Sequence, residues 1–188
     1  MLPKIWVQKG YLINSCVISI MGVGALEKTK EEQIKALLEK HSLPPVEVIV
    51  PILGKTGRGE QELTAQAYTA YISLTEGIKE ILGLKDKNMK TLAKVWEILC
   101  GFEGAEFQPI ELTESKYSIS YPDCYMLHVG KDVSSNVKSK FCDLICAGGS
   151  KAIMDSVLGP ERGTCTWDKG LIKGAGKCKI VFELAENR

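Results

Sequence analysis

Histidine, surplus basic charge and long apolar runs are all scarce in this sequence, and each shortage excludes a class of function. His41 and His128 are the only two histidines among 188 residues, and no paired Cys-x-x-Cys spacing accompanies them, which excludes a zinc finger. The 24 basic residues balance 23 acidic ones, so no basic surplus is available for binding nucleic acid. The longest apolar run, Tyr11–Leu26, spans about 16 residues, whereas a membrane helix needs about 20. We therefore expect neither a nucleic-acid nor a membrane partner.

Glycine-rich nucleotide motifs are also missing. Gly54-Lys55-Thr56 resembles the end of a phosphate-binding loop, but the motif needs a glycine five positions before the Gly-Lys pair, and Ile49 stands there. Gly22 and Gly24 lack the third glycine of a dinucleotide fingerprint. We interpret the segment 54–59 as a connection into a helix and not as a nucleotide site.

What remains is an ordinary globular composition, with 45% hydrophobic and 25% charged residues. The length suits one compact domain, divided here into a helical region (1–100) and a cysteine-rich region (101–188). The seven cysteines form an odd set, and no secretory segment is recognised at residues 1–6, so we expect free thiols and a cytoplasmic location. The sequence leaves a homo-oligomer open.

Helices are predicted mainly in the first half. A capping box at Thr29–Glu32 starts one helix, and Val46–Val50 reads as a short strand after the prolines. Apolar residues at helical spacing predict a long helix over Leu63–Leu82, and Asn88 is expected to cap the next helix, with Trp96 on its buried face.

After Gly101 the spacing of the apolar residues changes from helical to alternating. Tyr117–Tyr121 alternates with period two, as in a half-buried strand, and helical spacing resumes from Val133 up to the glycines 148 and 149. Two further alternating segments, 164–168 and 177–184, are expected to form a hairpin that turns near Ala175, which would pair Cys178 with about Ile172. The predicted class is α+β, with an N-terminal helical half followed by a small antiparallel sheet carrying packed helices.

The second half also holds five of the seven cysteines: Cys124, Cys142, Cys146, Cys165 and Cys178. Cys142 and Cys146 are four apart on a helix and share one face. Cys165 lies too far along its strand to meet Cys178 unless a bulge at Gly170 reroutes the strand. This leaves Cys124, Cys142 (or Cys146) and Cys178 as a possible convergent set. Cys124 and His128 form the one Cys–His pair at close spacing, as a nucleophile and its base require.

Three cysteine-bearing segments of this region resemble the L-2-amino-thiazoline-4-carboxylic acid hydrolase-like family: 121–124, 141–146 and 170–182. The stretch from Cys146 through Phe182 is also similar to the related four-vinyl-reductase-type ligand-binding domain. The resemblance covers roughly residues 90–186. The proline stands two positions before Cys124 instead of after it, and Cys178-Lys-Ile replaces the expected Cys-Asp-Phe.

The resemblance implies two hypotheses. The first is a small cytosolic hydrolase that opens a C–N bond in a small cyclic amidine or amide. In it Cys124 or Cys178 is the nucleophile and His128 the base, while the substrate-binding residues are Lys173, Lys177 and Tyr121. The second is a non-catalytic module that binds a small ligand or a metal, with zinc or iron as candidate ions and Cys124, Cys142, Cys146 and Cys178 as ligands. A small molecule is the expected partner in both.

Overall fold

The computed structural model describes residues 28–44, 46–55, 57–103, 105–124, 133–174 and 176–185. The apolar run Tyr11–Leu26, the glycines 22 and 24, and His128 lie outside these ranges. The elements in chain order are α1 (Lys28–Lys40), α2 (Val46–Leu53), α3 (Arg58–Leu82), α4 (Met89–Glu103), β1 (Gln108–Leu112), β2 (Lys116–Tyr121), α5 (Ser135–Phe141), a π turn (Cys142–Ala147), α6 (Gly148–Leu158), β3 (Gly163–Asp168) and β4 (Cys178–Leu184). The predicted α+β class is confirmed.

The long helix and its neighbour form as the sequence predicts. The stripe of α3 is buried at Leu63, Ala67, Leu74 and Ile78, and the helix ends at Gly83 in the left-handed conformation (φ 68°). The Asn88 side chain accepts a hydrogen bond from the Thr91 amide at 2.9 Å and so caps α4. Helix α3 begins at Arg58, so the connection from α2 is shorter than the predicted segment 54–59.

The antiparallel sheet has the strand order β1-β2-β4-β3. Tyr117 and Ile119 on β2, together with Ile180 and Phe182 on β4, point from one face of the sheet into the main core. Helices α3, α4 and α6 contribute the other side of that core. A smaller cluster joins Ile49 and Leu53 of α2 to α3, α5 and the π turn. Among the described residues, no helix is long and apolar enough to cross a membrane.

The predicted strand Val46–Val50 is wrong, because this segment belongs to helix α2. Ile49 and Leu53 are four residues apart and both buried, so one face of a helix covers the small cluster. A short apolar run of this kind fits a strand or a helix by pattern alone, and packing decides between them.

The glycines 148 and 149 do not end a helix, contrary to the prediction. The helical path runs from Ser135 through the π turn to Leu158 and ends at Gly159, whose φ is 103°. Gly149 is buried, and a Cβ there would lie 2.5 Å from Cε2 of Tyr71 on α3. This glycine therefore permits a close approach of two helices.

The predicted pairing of the last two strands is confirmed, but the predicted register is wrong. Asp168 lies opposite Lys179, and Cys178 faces Tyr121 on β2 instead of Ile172. The connection between β3 and β4 is longer than a tight turn and folds back on itself, since the Lys173 amide donates to the carbonyls of Lys169 and Gly170. Ala175, the predicted turn residue, lies outside the described ranges.

Candidate thiol site

The candidate thiol site lies in a π turn. Cys142–Ala147 forms this turn between α5 and α6, and π turns inside α-helices occur frequently at functional sites. Its i→i+5 hydrogen bonding makes one turn longer than four residues, so Cys142 and Cys146 lie nearly above one another. The Cys142 side chain is 1% exposed and Cys146 is half-buried. Both residues belong to the same turn, in line with the shared face expected for residues four apart.

The hydrogen bond from Cys146 lowers the pKa of the Cys142 thiol. Lys169 lowers it further through its positive charge, while burial and the negative charge of Asp143 oppose the shift. Lys169 is fixed in place, because its Nζ lies 2.6 Å from Oδ1 of Asp143 and donates to Oγ of Ser139 at 3.1 Å. A lowered thiol pKa increases the thiolate fraction, which is the form that binds soft metals and attacks electrophiles.

Cys178 faces the π turn from the sheet. It opens β4, is 2% exposed, and shares its face with Ile180 and Phe182, as predicted from alternation. Its sulfur accepts a hydrogen bond from the Leu171 amide at 3.4 Å. Burial raises the pKa of the Cys178 thiol, and the nearby Cys142 adds to the rise. Cys142 and Cys178 are near enough for their charges to interact, while the predicted set with Cys124 stays a prediction.

Tyr121 belongs to the packing of the core. Its hydroxyl accepts a hydrogen bond from Nε1 of Trp96 at 2.7 Å and lies 3.2 Å from Sγ of Cys100. Its ring stacks on Trp167, with centroids 6.1 Å apart. These contacts involve both the hydroxyl and one ring face, and the predicted substrate-binding role of Tyr121 stays a prediction.

Cys124 follows Tyr121 by three residues and therefore leaves the sheet at the end where Cys178 enters it. It is half-buried, and its amide donates to Oδ1 of Asp123 at 2.7 Å. The predicted base, His128, lies outside the described residues. The Cys124–His128 pair stays a prediction.

Lys173 and Lys177 are exposed residues of the connection between β3 and β4. The lysine that acts on the thiols is Lys169, from the start of the same connection. Sequence reasoning missed it because it stands directly after a strand and shares no spacing with the cysteines. Its only signal was its position in the basic, glycine-rich segment that leads to Cys178.

Cys165 lies away from Cys178, as predicted, although β3 and β4 pair in a different register from the predicted one. Cys165 pairs with Phe182, four residues along β4 from Cys178. Burial raises the pKa of its thiol to about 12. In the part of the chain that the structure describes, no group of three or more His, Cys, Asp and Glu side chains is arranged to hold a metal ion. The predicted set Cys124, Cys142, Cys146 and Cys178 forms no such group.

Comparison with known proteins gives no family. No protein-family model and no curated protein matches the chain. One similar solved structure is a trafficking protein particle complex subunit 3 from Naegleria fowleri covalently bound to palmitic acid, with 15% identity, 84% of this chain and 92% of that chain covered, and a TM-score of 0.47. Another is an Fe(II) unliganded H-NOX protein from K. algicida, with 12% identity, coverages of 86% and 98%, and a TM-score of 0.34. Likenesses at these TM-scores carry no inference about function.

Proposed function

We propose that the chain is a non-catalytic small-ligand-binding module that holds its ligand through the thiols of Cys142 and Cys146. The observation that carries this proposal is the position of Cys142 and Cys146 four residues apart in one π turn. The hydrogen bond from Cys146, which lowers the pKa of the Cys142 thiol, adds to it. The positive charge of Lys169 stabilises the thiolate form of Cys142. Asp143 and Ser139 hold the Lys169 side chain in position. Cys146 is half-buried and is therefore the more exposed thiol of the two.

Binding fits this arrangement better than hydrolysis through Cys178. A cysteine nucleophile acts as a thiolate and must reach its substrate. Cys178 is buried and burial raises its pKa, so it is poorly suited to attack a small amidine. Cys142, the thiol with the lowered pKa, is also buried, so it is equally poorly placed to attack a substrate.

A trivalent arsenical tests the proposal, because such a reagent binds stably only where two thiols are adjacent. Phenylarsine oxide condenses with two thiols, forming two As–S bonds and releasing one water molecule. We expect one arsenical per chain in native mass spectra of the reduced protein, lost in Cys142→Ser and in Cys146→Ser. Cys165→Ser is the matched control, since Cys165 is a half-buried thiol outside the pair. Absence of binding to the folded protein, or binding that survives both substitutions, would refute the proposal.

The hydrolase hypothesis is kept as a second candidate because Cys124 is half-buried and follows Tyr121, the partner of Cys178, by three residues. Its test is turnover of 2-amino-thiazoline-4-carboxylate followed by chromatography. Turnover that disappears in Cys124→Ser and persists in Cys146→Ser would establish the enzyme and displace the binding module. If the substrate stays intact at high protein concentration, the hydrolase hypothesis is refuted.

A further inference from the structure

The outer face of α3 is exposed but carries no charge over most of its length. Glu62 and Glu76 are both exposed, and no charged residue stands between them on the helix. The solvent side of a helix usually carries charged side chains, because these keep it in water. The exposed residues of the uncharged stretch 63–75 are Ala65, Gln66, Tyr68 and Thr69. This face therefore has the composition of a contact surface and not of an ordinary solvated face.

Two open grooves flank this outer face of α3. Ala65 and Thr69 border both of them. One groove, of about 550 Å³, extends toward Leu144 in the π turn, and the other, of about 390 Å³, extends toward Lys40 and His41 after α1. Because Ala65 and Thr69 are small and four residues apart, they form a low ridge on which a further segment can pack closely.

The direction of α1 shows which part of the chain reaches this face. Leu37 of α1 lies against Gly77 of α3, whereas Lys40, further along α1, borders the groove at Thr69. The contacts on α3 move toward its start as α1 proceeds, so the two helices are antiparallel. Lys28, where α1 begins, therefore lies toward the end of α3, and the chain that precedes it arrives beside that helix.

The segment that precedes α1 is the apolar run Tyr11–Leu26, which contains no Asp, Glu, Lys or Arg. Packing an uncharged run on an uncharged face removes apolar surface from water without the cost of desolvating a charge. The twelve residues from Cys16 to Lys28 span about 18 Å as a helix and about 40 Å when extended. The path back along α3 from Leu82 to Thr69 is about 20 Å. The run is long enough to cover this face.

We propose that the run Tyr11–Leu26 packs within its own chain on the outer face of α3, across Ala65 and Thr69. A second copy of the chain and a different protein are the competing occupants. The run has the advantage over both, because its covalent connection to α1 gives it a high effective concentration at the face. This inference is independent of the proposed function, since it involves neither Cys142 nor Cys146.

Cross-linking in the full-length chain tests the inference, because Cys16 lies within the run. Thr69→Cys places a thiol on the outer face of α3, and bismaleimidoethane joins two nearby thiols by adding one to each of its maleimides. We expect mass spectrometry of the digested protein to find Cys16 linked to position 69 within one chain. Ala65→Cys repeats the test one turn earlier. Glu80→Cys is the matched control, an exposed position of α3 outside the uncharged stretch, and should give no link to Cys16.

The rate of thiol labelling gives a second readout that does not need Cys16. The thiol introduced by Thr69→Cys should react with a maleimide several-fold more slowly than the one introduced by Glu80→Cys, and circular dichroism confirms that both variants are folded. Equal rates without a link to Cys16 would overturn the inference. Links that join only two chains would overturn it in favour of a second copy. Slow labelling without any link at position 65 or 69 would show a different occupant, and a link from Cys16 to position 80 as strong as that to position 69 would show unspecific contact; both results overturn the inference.

Discussion

Replacing Gly149 with Ala tests the close packing of α3 against α6. A Cβ at this position would lie 2.5 Å from Cε2 and 2.6 Å from Cδ2 of Tyr71, well inside van der Waals contact. The Tyr71 ring or the two helices must move, and overpacking of this kind costs about 1–3 kcal/mol. Alanine also gains about 1 kcal/mol over glycine from helix propensity, so part of the cost is hidden in the single variant.

Gly148→Ala is the matched control, one residue earlier on the same helical path. A Cβ there meets nothing within 4 Å, so only the propensity gain of about 0.5–1 kcal/mol should appear. The difference between the two variants removes the propensity contribution and isolates the contact with Tyr71. We expect Gly149→Ala to be less stable than Gly148→Ala by about 1–3 kcal/mol.

Urea unfolding followed by circular dichroism measures this difference, provided that the slopes of the two transitions agree. In a chain of this length it corresponds to roughly 2–4 °C in Tm per kcal/mol. Equal transition midpoints for the two variants would refute the reasoning. In that case Gly149 would not lie against α3, and the placement of α6, which follows directly from the π turn, would be wrong.

Trp96→Ala should lower the free energy of unfolding by about 3–5 kcal/mol, because Trp96 is buried against Phe182 (ring centroids 5.1 Å apart) and donates a hydrogen bond to Tyr121. Trp96→Phe keeps most of the ring volume and should cost clearly less; an unchanged Tm for the alanine variant would contradict this packing. ATP and GTP should show no binding below millimolar concentration in equilibrium dialysis, since Lys55 lies in the connection between α2 and α3; micromolar binding lost in Lys55→Ala would show the opposite. Burial raises the pKa of Cys165 from its usual 9.0 to about 12, so the folded chain keeps a proton that the unfolded chain loses. The stability from this group is complete below pH 9 and is lost as the pH rises toward 12, and Cys165→Ala should flatten the decline seen in urea unfolding; an identical decline in both proteins would count against the burial.

The sequence predicts elements well wherever one periodic pattern allows a single interpretation. The stripe of α3 and the alternation of β4 are long enough to exclude the other kind of element. The segment Val46–Val50 is too short for that, and it becomes helical because Ile49 and Leu53 pack together against α3 and α5. Glycine is a residue type that often ends helices, so the local pattern around Gly149 predicts a helix end. The actual role of Gly149 depends on Tyr71, 78 positions away in the chain, and no local pattern reveals that contact.

The residues of the candidate site also divide into those that a local pattern predicts and those that only packing reveals. The shared face of Cys142 and Cys146 and the inward direction of Cys178 depend on local periodicity, and both were predictable. The action of Lys169 on Cys142 depends on how the connection after β3 packs against α5, through the contact with Ser139. The difference between Cys142 and Cys178 also depends on their neighbours. Burial raises the pKa of both thiols, but at Cys142 the hydrogen bond from Cys146 and the charge of Lys169 lower it.

Titration of thiolate absorbance in the ultraviolet tests the central claim most directly, because it needs no reagent to reach the buried pair. In the wild-type protein we expect one thiol to ionise below the ordinary cysteine range, and this step should be missing in Cys142→Ser. In Cys146→Ala the step should move to higher pH, since the hydrogen bond from Cys146 is the largest cause of the lowered pKa of Cys142. Cys165→Ser should leave the step unchanged. A wild-type titration with every thiol ionising in or above the ordinary range, superimposable on that of Cys142→Ser, would contradict the account.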